Sequence, residues 1–167
     1  MGVTEFDLPE RFVAGSVGPP GQRTFFLQAR TGARLVSVSM EKEQLAVLAD
    51  RVKDLLTQVG MPDQAPTELI DNGTLEAPIE DEFRVTTLAL SWDAARQLVV
   101  IEAHDQDPTE EGSDPSTVKV TLSPPAAAEF ARRSRSLIAA GRPPCPLCGQ
   151  PLDPTGHICP RANGYRR

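Results

Sequence analysis

The hydrophobic positions of the first part of this 167-residue chain change period at residue 41. Before that point, apolar and polar side chains alternate over three segments, which is typical of strands with one buried face: residues 11–17, 22–30 and 34–40. Over residues 41–59 the apolar positions instead recur every three or four residues, which predicts an amphipathic helix containing Leu48. Gly60 ends that helix. Three strands followed by a helix are therefore expected.

The same order of elements returns later in the chain. Residues 60–81 are rich in Pro, Asp, Asn and Gly, and we interpret them as a surface linker. Ser123 and Pro124 then supply an N-cap and a first-turn proline for a helix over residues 124–140. Alternating segments between the linker and this helix predict three more strands: residues 83–90, 97–103 and 116–122.

A shift of 82 positions aligns the two halves. It places residues 38–40 on residues 120–122, and residues 48–51 on residues 130–133. We therefore predict an α+β fold made of a duplicated βββα unit, in which an antiparallel sheet of about six strands carries both helices on one face. The predicted domain covers residues 1–140: a lead-in to residue 10, repeat one at about 10–59, the linker at 60–81, and repeat two at about 82–140.

The C-terminal segment, residues 141–167, contains all three cysteines and one of the two histidines. Three thiolates and an imidazole are a donor set for tetrahedral Zn²⁺, and four protein donors leave no open position, so the predicted site is a structural zinc knuckle. A disulfide with one free thiol, or unpaired surface cysteines, are the alternatives, and the odd cysteine count disfavours them. The predicted ligands are Cys145, Cys148, His157 and Cys159.

Charge is unevenly distributed along the chain. The net charge is −6, whereas residues 141–167 contain four arginines and one acidic residue, so the rest of the chain carries −9. An acidic body repels phosphate backbones and membrane surfaces. We therefore expect an unknown protein or nucleic-acid partner to bind the basic tail; the alternative is that the tail pairs with the acidic body or hangs free. The candidate binding residues are Arg161, Tyr165, Arg166 and Arg167.

Composition and termini predict a cytoplasmic protein without a membrane partner. Hydrophobic residues make up 40% of the chain and charged residues 24%, which is globular composition. The chain contains no run of about 18 apolar residues that could span a membrane. Its first residues lack the basic and apolar regions of a signal peptide.

Other candidate chemistry is weaker. A sheet face bearing Arg30, Glu102 and His104 is the natural location for an enzyme site between the two repeats, although His104 alone fits a strand-end residue. Residues 105–116 begin like a calcium loop but depart from its pattern at Glu110 and Ser116, so we interpret them as a solvated hairpin loop. No catalytic residue is assigned.

At both ends the chain resembles the actinobacterial family labelled domain of unknown function 3090. The resemblance rests on residues 11–15 and 24–30 at the start. At the end it rests on the motif Gly-Arg-Pro-Pro-Cys-Pro-Leu-Cys-Gly at residues 141–149, and on residues 156–167. It implies a bacterial cytoplasmic protein, supports the four zinc ligands position by position, and implies no activity.

Three functions are compatible with these features. The leading one is a non-enzymatic, zinc-stabilised interaction or regulatory module. The second is an enzyme with its site between the two repeats. The third is a single-stranded nucleic-acid binder, because purine-rich-element-binding repeats also combine strands with a terminal helix; that analogy is one of architecture alone.

Overall fold

The structure is a computed structural model that describes residues 2–19, 22–61 and 70–140. Within these ranges the chain is α+β, with strands and helices in an order that repeats. The elements are β1 (Val3–Asp7), β2 (Arg11–Val17), β3 (Thr24–Thr31), β4 (Arg34–Met40), α1 (Lys42–Gln58), β5 (Asp81–Arg84), β6 (Thr87–Asp93), β7 (Leu98–His104), β8 (Thr117–Leu122) and α2 (Pro124–Ala140).

Both predicted helices are present, and their starts follow from capping. At α1 the backbone N–H of Glu41 donates to Gln44 Oε1 at 2.7 Å, one half of a capping box. At α2 the N–H of Ala126 donates to Ser123 Oγ at 3.3 Å, and Pro124 occupies the first turn. The apolar stripe of α1 is buried as the period predicts.

The strands form two sheets, so the predicted single antiparallel sheet was wrong. Sheet 1 has the order β2-β3-β4-β5 and sheet 2 the order β1-β8-β7-β6. Each contains an antiparallel three-strand meander, and its fourth strand runs parallel to the third. The meanders cannot join edge to edge through β4 and β8, because β5 and β1 occupy those edges.

The fourth strand of each sheet comes from the other half of the chain. Residues 1–10, predicted as a lead-in, contain β1, whose Phe6 is 1% exposed in the core. The predicted strand at 83–90 is divided between β5 and β6. Both missed strands are short and lack a long alternating pattern, so long-range pairing rather than local sequence determines them.

Residues at matching positions pair alike in the two sheets. Ala14 lies opposite Leu27, which lies opposite Val38 in sheet 1. In sheet 2 the corresponding trio is Leu90, Ile101 and Val120. The fourth strands also match, since the N–H of Val85 donates to Ser39 O at 2.8 Å and that of Leu8 to Thr121 O at 2.9 Å. Ser39 and Thr121 are 82 positions apart.

The two sheets face each other across one core, with both helices packed together along it. Apolar side chains of both sheets, among them Leu27, Val38, Ile101 and Val120, line one cavity of about 10 Å³, so these strands face each other at close range. Each helix contacts strands of both sheets, α1 touching β3 and β6, and α2 touching β2, β7 and β8. The prediction of both helices on one face of a single sheet is therefore corrected. Leu48 and Phe130 are 3% and 1% exposed.

Part of the predicted surface linker crosses the outer face of sheet 1. We call residues 70–80 the strap. Leu75 lies directly over Gly15, where an added Cβ would stand 2.4 Å from the Leu75 Cγ, so this close approach requires glycine. The side chain of Gln28 donates to Glu76 O at 2.9 Å and accepts from the Glu76 N–H at 2.8 Å. The strap is thus fixed to the sheet although it has no regular secondary structure.

Candidate functional site

The predicted zinc ligands and the basic tail lie outside the described residues. This applies to Cys145, Cys148, His157 and Cys159, and equally to Arg161, Tyr165, Arg166 and Arg167. Among residues 2–19, 22–61 and 70–140, no group of three or more His, Cys, Asp or Glu side chains could hold a metal ion. Structural zinc therefore stays a prediction from the sequence.

The structure separates the three residues that the alternative enzyme hypothesis placed on one sheet face. Arg30 points away from the core of sheet 1, because its neighbour Ala29 points into it. Glu102 and His104 point away from the core of sheet 2. Since the two sheets face each other, these outer surfaces lie on opposite sides of the fold. The alternative hypothesis of one site holding all three is therefore not met by this fold.

His104 is the last residue of β7, as predicted from the sequence. Its side chain is buried, with Nδ1 2.8 Å from Thr117 Oγ1 on the neighbouring strand. The other ring nitrogen, Nε2, is 3.5 Å from Glu102 Oε1. A hydrogen bond across the β7–β8 pair thus holds the imidazole.

The calcium-like stretch connects β7 to β8 as a hairpin loop, as predicted. Asp107 bonds within the loop, accepting from the N–H and the hydroxyl of Thr109 at 2.9 and 2.7 Å. These two hydrogen bonds lower the pKa of Asp107. The carboxylate of Asp105 accepts from the N–H of Ser116 at 2.7 Å and closes the base of the loop.

Ion pairs attach the strap to sheet 1. Arg11 donates from Nε to Asp71 Oδ2 at 2.7 Å and from Nη2 to Asp71 Oδ1 at 3.1 Å, a two-pronged contact. Arg30 donates to Glu76 at 2.8 Å and to Glu10 at 2.9 Å. The hydrogen bonds from Arg11 lower the pKa of Asp71 and raise the pKa of Arg11 itself. The Arg11–Asp71 and Arg30–Glu76 ion pairs thus hold the strap against sheet 1.

Arg133 joins the strap, the edge of sheet 1 and α2. It is 9% exposed, and its Nε donates to the backbone carbonyl of Ala14 on edge strand β2 at 2.7 Å. Its Nη1 donates to Asp71 O at 2.9 Å and to Asp71 Oδ1 at 3.3 Å. Burial lowers the pKa of Arg133. On the same helix, Glu129 accepts from the Asp71 N–H at 2.8 Å.

The lowered pKa of Asp71 predicts a specific acid sensitivity. A carboxylate with a depressed folded-state pKa stabilises the fold above the ordinary Asp pKa of about 3.9, and this contribution disappears as pH falls through the folded value. Urea unfolding between about pH 2 and pH 5 should therefore show a steeper loss of stability in the wild type than in Asp71→Asn. Arg11→Gln should flatten the profile similarly, because Arg11 causes the shift. Parallel profiles in all three proteins would contradict the assignment.

A groove lies between α1 and edge strand β6. It has a volume of about 570 Å³ and combines apolar with charged side chains. Among the described residues, Arg51 has no ion-pair or hydrogen-bond partner, in contrast to Arg133 at the matching position of α2. The lining residues are Val47, Leu48, Arg51, Asp54, Leu55 and Gln58 of α1, and Leu88, Ala89 and Leu90 of β6.

Sequence reasoning did not find this groove or the Arg133–Asp71 contact. The available signal was the 82-position alignment, which already places Arg51 on Arg133. Their different surroundings depend on the strap, which reaches one of them and not the other.

The comparisons with known proteins identify the family. The profile of the family described as "Protein of unknown function (DUF3090)" matches residues 4–159, most of the chain. The chain belongs to the DUF3090 family. Searches of curated proteins and of solved structures each found no match.

The family match ends within the C-terminal segment of this DUF3090 protein, between the predicted zinc ligands and the basic tail. The matched range includes all four predicted zinc ligands and ends at Cys159, before the arginines of the tail. The segment with the metal donors is therefore part of the family domain. Separately, none of the helices in the described parts of the chain is long and apolar enough to cross a membrane.

Proposed function

We propose that this DUF3090 protein is a non-enzymatic interaction module, built from a duplicated βββα unit with one further strand before each copy, and closed by a structural zinc site. The observation that carries the proposal is the distribution of positive charge. The arginines at the strap face, among them Arg11, Arg30 and Arg133, form ion pairs within the body. The four arginines after residue 140 have one acidic residue beside them in sequence, so this segment carries a net positive charge on an otherwise acidic chain.

The matching registers support the duplication. Each half supplies one initial strand, one meander and one helix, and the initial strand of each half joins the meander of the other. Exchange of equivalent strands between two copies of one unit produces this arrangement. Residues 82 positions apart have similar burial in the helices: Leu45 and Ala127 are both 0% exposed, as are Val52 and Ser134.

The zinc proposal rests on donor chemistry. Cys145, Cys148, His157 and Cys159 provide a closed N/S shell within fifteen positions, and all four lie inside the family match. A metal-fixed knuckle would hold the tail at a defined place. A fixed tail loses less conformational freedom on binding than a free one, so a small basic surface gains affinity.

The candidate partner surface consists of Arg161, Tyr165, Arg166 and Arg167. Its charge suits a partner carrying carboxylates or phosphates, whose binding weakens as salt rises. The outer face of sheet 2 disfavours nucleic-acid binding by the body of the protein. It bears three acidic residues around Lys119: Glu5, Asp7 and Glu102. Such a face repels a phosphate backbone.

Deletion of residues 161–167 tests the interaction surface. Immobilised full-length protein should capture a partner from a native lysate at low salt and release it near 1 M salt, where screening acts over about 3 Å. The deletion should abolish capture while zinc content and thermal stability stay unchanged. Nuclease treatment distinguishes a nucleic acid from a protein.

Two variants form a matched set for this experiment. Replacing the three tail arginines by Lys keeps their charge, and replacing them by Ala removes it. Capture retained by the Lys variant and lost by the Ala variant supports a charge-based surface. Capture that survives the deletion shows that the tail does not bind the partner, and unfolding of the body shows that the tail is structural.

A further inference from the structure

The groove at α1 and β6 occupies a position that is filled in the other half of the molecule. Around α2 and β2, the strap brings Asp71 to Arg133 and places Leu75 over Gly15. By the helix alignment and the strand registers, the matching residues are Arg51, which lines the groove, and Ser91, which follows the lining residue Leu90 on β6. One helix–strand junction is therefore covered by the chain that follows the other helix.

The chain after α2 has the length and sequence to cover the groove in the same way. Twelve residues separate Gln58, the end of α1, from Asp71, and twelve separate Ala140, the end of α2, from Asp153. The local sequences also match, with one extra residue in the second copy. Ile-Asp-Asn-Gly-Thr-Leu spans residues 70–75, and Leu-Asp-Pro-Thr-Gly-His-Ile spans residues 152–158.

Charge and polarity at the groove fit this segment. Arg51 is exposed and has no ion-pair partner among residues 2–19, 22–61 and 70–140, and Asp153 is the one acidic residue after position 140. Leu55, Leu88 and Leu90 supply an apolar floor, against which burial of an aliphatic side chain such as Ile158 is favourable.

We propose that residues 152–158 dock into the groove between α1 and β6, with the Asp153 carboxylate paired to the Arg51 guanidinium and Ile158 packed on the apolar floor of the groove. The docked segment repeats, in the second half, the contact that the strap makes in the first. This inference rests on the duplication proposed above.

Charge reversal in the full-length protein tests the docking. Arg51→Glu and Asp153→Lys each place like charges together, whereas the double variant restores an opposite pair. Lys53→Glu is the matched control, because it makes the same charge change on an α1 position that does not line the groove. The measurement is amide hydrogen exchange at residues 88–91 in dilute, zinc-loaded protein, with zinc content determined for every variant.

Each single reversal should speed exchange at residues 88–91 roughly fivefold, the factor that corresponds to ~1 kcal/mol. The double variant should return to within about twofold of the wild type, which tests the pair itself rather than local damage. The control should match the wild type.

The docking would be overturned if both single reversals left exchange unchanged, or if the double variant did not restore it. Protection that depends on protein concentration would also overturn it, because the occupant would then be a second copy of the chain. The zinc measurement keeps the two proposals apart. If the wild type holds no zinc and the reversals still behave as expected, docking stands and the zinc site fails. If the wild type holds zinc but neither charge reversal changes exchange, the zinc site stands and the docking fails.

Discussion

Replacement of Phe130 by Ala should lower the free energy of unfolding by about 3–5 kcal/mol, the usual cost of removing a buried aromatic side chain. Phe130 is 1% exposed and stacks on Phe12 with ring centroids 4.8 Å apart. The substitution removes apolar contacts between α2 and β2 and leaves a cavity that the surrounding side chains fill only in part. Urea unfolding followed by circular dichroism measures the loss.

Leu48→Ala provides the internal comparison, because Leu48 occupies the matching position of α1 and is 3% exposed. We expect the substitution to lower the free energy of unfolding by about 2–5 kcal/mol, because both helices pack into the same core. Val17→Ala, at a residue 46% exposed, should stay within about 0.5 kcal/mol. A cost for Leu48→Ala as small as that of Val17→Ala would contradict the matching roles of the two helices.

Arg133→Ala should lower the free energy of unfolding by roughly 2–4 kcal/mol. The variant loses hydrogen bonds from a charged donor and leaves the Ala14 carbonyl without its side-chain partner, effects of about 1–3 kcal/mol each that overlap. The strap should also loosen, because Arg133 contacts both the backbone and the carboxylate of Asp71. Faster proteolysis within residues 70–80 would report that loosening.

Arg135→Ala is the control for this experiment. Arg135 lies on the same helix, its side chain is 48% exposed, and its nearest carboxylate is Asp50 at 4.0 Å. An exposed pair at that distance contributes about 0–1 kcal/mol. If Arg133→Ala costs no more than Arg135→Ala, the buried guanidinium does not hold the strap.

The helices were predictable from the sequence because their signals are local. The period of apolar residues and the Ser-Pro start predict α2 at residues 124–140, the range it occupies, and place α1 within one residue at each end. Capping contacts involve neighbours within three positions, such as Glu41 with Gln44, so a single sequence contains them.

The arrangement of the strands was not predictable in the same way. Alternation indicates that one face of a strand is buried, but it does not identify the neighbouring strand. β1 pairs with β8 more than 100 residues away, and β5 pairs with β4 through only two register positions. The division into two sheets follows from these two parallel pairs. Neither pair produces a sequence pattern within one strand that would identify its partner strand.

The candidate sites divide similarly. The zinc donors are visible in the sequence because they are chemically distinctive and closely spaced. Arg133 and Asp71 resemble ordinary surface residues in sequence, and their contact exists only because the strap folds back across sheet 1. The alignment of the halves is what connects Arg133 to Arg51, and thereby the strap to the segment that contains the zinc donors.

Metal analysis of the purified full-length protein tests the zinc-closed module most directly. Protein prepared without chelators should contain close to one equivalent of zinc, its three thiols should react slowly until a chelator is added, and Cys148→Ser should lose the metal while the body stays folded. Protein that contains no zinc, with all of its thiols freely reactive from the start, would contradict the proposal.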